Sequence, residues 1–88
     1  MISRMINVGF GNMIAMDRIV SIVTPLSSPI KRLRDEAKEA NRLVDATHGR
    51  KTRSVIVLDS KHIILSAIQV DTLCQRIDHL KSAEPNDA

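Results

Sequence analysis

The feature that most constrains the fold of this 88-residue chain is a pair of runs apolar at every position, Val55-Ile56-Val57-Leu58 and Ile63-Ile64-Leu65. Successive side chains of a strand point to opposite faces, so an unbroken apolar run needs cover on both faces of its sheet. Asp59-Ser60-Lys61 between the runs reads as a short turn, and strands at Ser54–Leu58 and His62–Ala67 are expected to pair as a hairpin. Four more strands are read at Met5–Val8, Met13–Met16, Ile19–Thr24 and Leu43–Thr47. Gly9-Phe10-Gly11-Asn12 folds the first two into a hairpin, and Pro25 stops the third.

Helical spacing appears twice. Ser28 is the predicted N-cap and Pro29 the first position of a helix that places Ile30, Leu33, Ala37 and Ala40 on one face. Its other face carries Lys31/Asp35 and Arg32/Glu36 as i,i+4 pairs. Val70, Leu73, Cys74, Ile77 and Leu80 form the stripe of a second helix, with Cys74 expected in the core. The polar stretch Ser82–Ala88 holds Pro85 and is expected to be a disordered tail, leaving residues 1–81 as one domain. The fold class is α+β: a small, mainly antiparallel sheet with two helices. Two short helices are expected to cover one face of six strands, so the other face calls for a second subunit. An obligate homo-oligomer follows from that premise.

Composition narrows the chemistry. Cys74 is the sole cysteine, which excludes an internal disulfide, and Phe10 is the sole aromatic. No signal peptide is recognisable, and no apolar run approaches the ~18 residues of a membrane span. A soluble, cytoplasmic protein without membrane contact is expected. The net charge of +3 is unevenly spread: residues 1–53 hold ten Lys/Arg against five Asp/Glu, and residues 54–88 hold three against five. A basic face on one part of the molecule follows.

Three cations without an intervening acid crowd the loop His48-Gly49-Arg50-Lys51-Thr52-Arg53 between the fourth and fifth strands. Like charges held together repel, and a polyanion relieves them, so Arg50, Lys51 and Arg53 are candidate phosphate contacts. Lys31, Arg32 and Arg34 sit early in the first helix, where the helix dipole disfavours cations. They are either surface ion-pair partners or a second phosphate-contacting row. Arg18, at a bend, reads as an ordinary exposed arginine. Gly9-Phe10-Gly11-Asn12 lacks the spacing of a phosphate-cradling fingerprint. His48, His62 and His79 are too scattered for a zinc site. Asp45 and His48 lack a positioned nucleophile in Thr52 or Ser54, and Asp45 is expected to be buried and bonded to backbone. Neither catalysis nor a cofactor, metal or small-molecule substrate is expected.

Four ordered blocks resemble one family: Ile6-Asn7-Val8-Gly9-Phe10-Gly11-Asn12, Ser28-Pro29-Ile30-Lys31-Arg32, Asp45 through Arg53, and His62-Ile63-Ile64-Leu65-Ser66-Ala67. They look like the RemA family of bacterial extracellular-matrix regulators, over about residues 5–80. The resemblance implies a ring-shaped homo-oligomer that carries double-stranded DNA on its basic surface and activates biofilm-matrix genes. It implies DNA contact by Arg18, Arg50 and Lys51. The chain departs from the family pattern with Lys51 in place of arginine and His48 in place of tyrosine. Lysine keeps the charge but not the bidentate geometry. The expected function is a DNA-binding transcriptional regulator with Arg18, Lys31, Arg32, Arg50, Lys51 and Arg53 as its contacts. An RNA-binding ring and an oligomeric protein-interaction scaffold are the alternatives. Sequence-specific RNA binding usually uses aromatic stacking platforms, which one phenylalanine does not supply.

Overall fold

The computed structural model describes residues 4–82. Its strands are β1 (Met5–Asn7), β2 (Met13–Ala15), β3 (Ile19–Val23), β4 (Leu43–Asp45), β5 (Ser54–Leu58) and β6 (Ile63–Ser66), with helices α1 (Ser28–Glu39) and α2 (Val70–Ser82). A single 3₁₀ turn, Met16–Arg18, links β2 to β3. All six expected strands and both helices are present, most strands trimmed by a residue or two at their ends. The expected tail lies outside the described residues except for Ser82, which belongs to α2.

The runs apolar at every position form the centre of a four-stranded sheet ordered β3-β5-β6-β4. β5 and β6 pair antiparallel, Val55 opposite Leu65 and Ile56 opposite Ile64, as the hairpin reading requires. Lys61 takes the left-handed conformation at their turn (φ 71°) and its N–H bonds the Leu58 carbonyl. β4 does not join its chain neighbour β5. It pairs parallel to β6, outside it, so the basic loop spans the width of β6. β1 and β2 form a separate two-stranded hairpin.

Alternation along the central strands sorts the core into two layers. Ile56 and Ile64 face a cluster with Ile6, Val8, Ala46 and Leu73, to which Ile14, Ile77 and Leu80 add partly buried surface. Val55, Ile63 and Leu65 face the other way, against Ala37 with Ile30 and Leu33. The hairpin and α2 thus cover one face and α1 covers the other. This corrects the premise of the oligomer expectation: both faces are closed within one chain. Cys74 is also corrected, because it is exposed. The buried arc of α2 centres on Leu73, Ile77 and Leu80, and at 3.6 residues per turn Cys74 lies about 100° from Leu73.

Both ends of α1 follow local rules, one residue away from the expected start. Ser27, not Ser28, is the N-cap, its Oγ accepting from the Ile30 N–H, so Pro29 falls at the second helical position. At the other end Asn41 adopts φ 58°. The N–H groups of Asn41 and Arg42 bond the carbonyls of Lys38 and Ala37, a Schellman closure. Ala40 is the C-cap and exposed, so it leaves the face assigned to it.

Two buried serines tie the layers together at one end of the sheet. Ser66 Oγ donates to the Val8 carbonyl (2.8 Å) and accepts from the Ile68 N–H (3.0 Å). Ser54 Oγ donates to the Ile68 carbonyl (2.7 Å). In urea denaturation Ser66→Ala is expected to lose about 1–3 kcal/mol, since the buried Val8 carbonyl and the part-buried Ile68 N–H lose their partner. Ile56→Ala is expected to lose about 2–5 kcal/mol through the cavity it leaves.

Candidate nucleic-acid interface

The basic loop begins with a turn that its own side chains hold. Asp45 Oδ1 accepts from the Thr47 N–H (2.9 Å) and the Thr47 hydroxyl (2.6 Å). His48 and Gly49 follow at φ 58° and 82°, and the Arg50 N–H closes the turn on the Thr47 carbonyl (2.9 Å). Positive φ at both central positions is the pattern of a type I′ turn, and it explains the glycine. At the far end the Arg53 N–H bonds the Ser66 carbonyl (2.8 Å), so the loop re-enters the sheet at a fixed point. Asp45 is exposed, contrary to the expected burial. Its bond to the Thr47 N–H does match the expected backbone partner. The Thr47 hydroxyl and then its N–H hold the Asp45 carboxyl below the usual carboxylate range.

Arg50, Lys51 and Arg53 are all exposed on this frame. The hairpin tip supplies their neighbour. Gly9, Phe10 and Gly11 all have positive φ, and the tip closes through Val8 N–H to the Asn12 carbonyl (2.8 Å). At Gly9 the backbone φ of 114° favours glycine, while a Cβ there would make only ordinary contact with Ile68 Cδ1 at 3.4 Å. The Phe10 ring, about half exposed (51%), stacks on His48 with centroids 4.8 Å apart. The Arg50 guanidinium carbon sits 5.8 Å from the same ring centroid. His48 therefore keeps a ring in contact between loop and hairpin.

A cleft of about 500 Å³ opens beside this stack, walled by Arg50, Lys51 and Arg53 from the loop, Phe10 and Asn7 from the hairpin, and Arg76 from α2. Sequence reasoning missed Phe10 and Arg76 as site residues. Phe10 was absorbed into a turn motif. Arg76 sits about 60° from the apolar stripe of α2, a flanking position the pattern marks without naming what lies beside it.

The other expected contacts lie elsewhere. Arg18 ends the 3₁₀ turn and meets Asp59 at the β5–β6 turn, Nη1 to Oδ2 3.2 Å. The loop enters β5 at Ser54 and Asp59 follows its other end. At ~3.4 Å per residue the five steps from Ser54 to Asp59 set the two regions about 17 Å apart along the sheet. Lys31 and Arg32 are exposed on α1, which covers the opposite face from the hairpin and α2. The expected pairs Lys31/Asp35 and Arg32/Glu36 are not formed; Asp35 lies 3.9 Å from Arg34 instead. Among the described residues no His/Cys/Asp/Glu group is placed to hold a metal, and no helix is long and apolar enough to cross a membrane.

Residues 5–77 match the RemA-like family, described as extracellular matrix regulatory protein A-like. A relative in Desulfatibacillum aliphaticivorans is 65% identical over 77 residues, 88% of this chain and 86% of its own length. One in Thermodesulfovibrio yellowstonii is 53% identical over 83 residues, 94% and 98% of the two chains. One in Thermotoga maritima is 62% identical over 72 residues, 82% and 78%. Their names assign a regulatory role and nothing finer.

In a pH titration followed by NMR, Asp45 is expected to titrate below an ordinary aspartate, and Thr47→Val to move it back up. A depressed carboxylate contributes stability above its unfolded pKa that is lost as pH falls through the folded one. The Asp45 contribution is therefore expected at neutral pH, to fade on acidification, and to be smaller in Thr47→Val.

Proposed function

The chain belongs to the RemA-like family, and from that premise we propose that it is a cytoplasmic regulatory protein that binds double-stranded DNA through the loop carrying Arg50, Lys51 and Arg53. The observation that supports this most directly is the loop itself: three exposed cations, free of interleaved acids, on a turn fixed by Asp45 and Thr47. A rigid frame lowers the ordering cost of presenting those cations to phosphates. Binding is phosphate-dominated, with sequence sensed partly through DNA bending, because one aromatic ring gives little for base stacking. Activation of extracellular-matrix genes is the proposed outcome; the family description supports a regulatory role in extracellular-matrix production. Arg18 contributes a second contact region, for which it exchanges Asp59 for a phosphate. Lys31 and Arg32 add charge on the α1 face. No chemistry of catalysis enters.

Assembly into a ring-shaped homo-oligomer is part of the same proposal. It draws on the family resemblance and on large apolar side chains left in the open, Leu26 at 79% and Val20 at 66% exposure. Val20 lies on β3, whose outer edge has no partner strand among the described residues. Repetition of the basic loop around an assembly multiplies modest contacts by avidity.

Fluorescence anisotropy with a promoter-length duplex across a salt series tests the DNA contact. Arg50→Ala/Lys51→Ala is expected to lose most of the affinity and to flatten the log–log salt slope by about 0.9 for each phosphate contact removed. Equal binding by wild type and double variant would discard the loop as the contact. Light scattering is expected to give a mass above the monomer's, reduced in Val20→Glu or Leu26→Glu.

A further inference from the structure

We propose that the cleft between the hairpin tip, the basic loop and α2 is a phosphate-binding site in which Arg76 supplies a fixed charge. Arg76 reaches from α2 to the hairpin, where its Nη1 donates to the Asn7 carbonyl at 2.7 Å. A backbone carbonyl orients a guanidinium without neutralising it. Arg18 is the contrast, since the Asp59 carboxylate already lies 3.2 Å from its Nη1. Among the described residues Arg76 has no carboxylate within ion-pair distance, and the walls of the cleft contain no Asp or Glu. Arg50 is likewise held, by the Phe10 ring. Two anchored guanidinium groups, with Lys51 and Arg53 beside them, leave net positive charge in a concave space of about 500 Å³. Planar N–H forks suit a phosphoryl oxyanion, which accepts several charge-assisted hydrogen bonds at once.

The ligand chemistry is a phosphate group, carried either by a DNA backbone or by a free phosphorylated molecule. Where the phosphate belongs to a duplex, the site rests on the function proposed above and adds α2 to the interface. Where it is free, the cleft holds the small anion while a duplex is bound outside it.

The test uses the full chain with inorganic pyrophosphate as probe in calorimetry, and the duplex in anisotropy. The variants are Arg76→Ala, Arg76→Lys and, as a control on the same helix, Lys81→Ala. Wild type is expected to bind pyrophosphate, and Arg76→Ala to weaken it by about tenfold or more. Arg76→Lys should recover part of the loss because it restores the positive charge, and Lys81→Ala should bind as wild type does. Thermal melts confirm that each variant is folded. If pyrophosphate displaces the duplex, the cleft takes a backbone phosphate. If both bind together, it takes a free one. Pyrophosphate binding that depends on Arg76 without any duplex binding upholds the cleft and removes the DNA function. Duplex binding with no pyrophosphate binding, and a salt slope unchanged in Arg76→Ala, removes the cleft and leaves the DNA function standing. Equal losses in Arg76→Ala and Lys81→Ala would reduce the effect to general surface charge and overturn the site.

Discussion

The requirement to cover both faces of the β5–β6 hairpin organises this molecule. Ile56 and Ile64 on one side and Val55, Ile63 and Leu65 on the other are all at or near full burial. Neither helix can satisfy both sets, so α1 and α2 must take opposite faces, and the β1–β2 hairpin completes the layer that α2 begins. The position of the basic loop is a by-product of this arrangement. It leaves β4 at one edge, crosses the end of β6 and returns to β5, while the hairpin tip and the start of α2 come to the same end of the sheet.

Polar chemistry then sharpens what apolar burial leaves loose. Hydrophobic contact alone is non-directional and would let the hairpin slide over the sheet. The buried hydroxyls of Ser54 and Ser66 remove that freedom, since each has a single backbone partner or pair it can satisfy: Val8 from the hairpin and Ile68 from the segment that leads into α2. Through these bonds and the Phe10–His48 stack, the hairpin and the two cation-bearing elements, the loop and α2, share one frame. The strain of consecutive positive φ angles at residues 9–11 and 48–49 is confined to the two turns that meet there.

The local elements were largely legible in the sequence because each is dictated by near neighbours. Gly9 through Asn12 announces its turn, Pro29 the first turn of α1, and the two unbroken apolar runs and turn residues of Ser54–Ala67 its hairpin. What could not be read is which element covers which face. Periodicity identifies residues that share a side but not the partner on that side, so α1 and α2 were placed together and an extra subunit invoked. The parallel pairing of β4 with β6 has the same origin, being a contact between non-neighbours in the chain. Cys74 was misplaced because a helical stripe read from spacing is wider than the arc Leu73, Ile77 and Leu80 actually bury. Arg50, Lys51 and Arg53 were legible as a group because they are contiguous. Arg76 joins them only through the fold, and from the half of the chain that is net acidic.

The separation of Arg18 from the loop bears on how so small a chain would hold DNA under the proposed function. About 17 Å from Ser54 to Asp59 exceeds the ~8–10 Å over which charges act on one another at physiological salt, so the two regions do not form one field within a chain. Arg18 also begins with Asp59 beside it and gains from a phosphate only the difference between the two anions. A lone subunit therefore offers a strong cluster at one end of its sheet and a weak, separate contact at the other. Under the proposed function, affinity must come from repeating this pair of contacts along the same duplex, since the second and later engagements are effectively intramolecular. Closing both faces of the sheet inside one chain suits that arrangement, because the edges and exposed residues such as Val20 and Leu26 are left free to set the spacing between copies. Under the proposed function, DNA affinity and subunit assembly would be two measures of the same geometry.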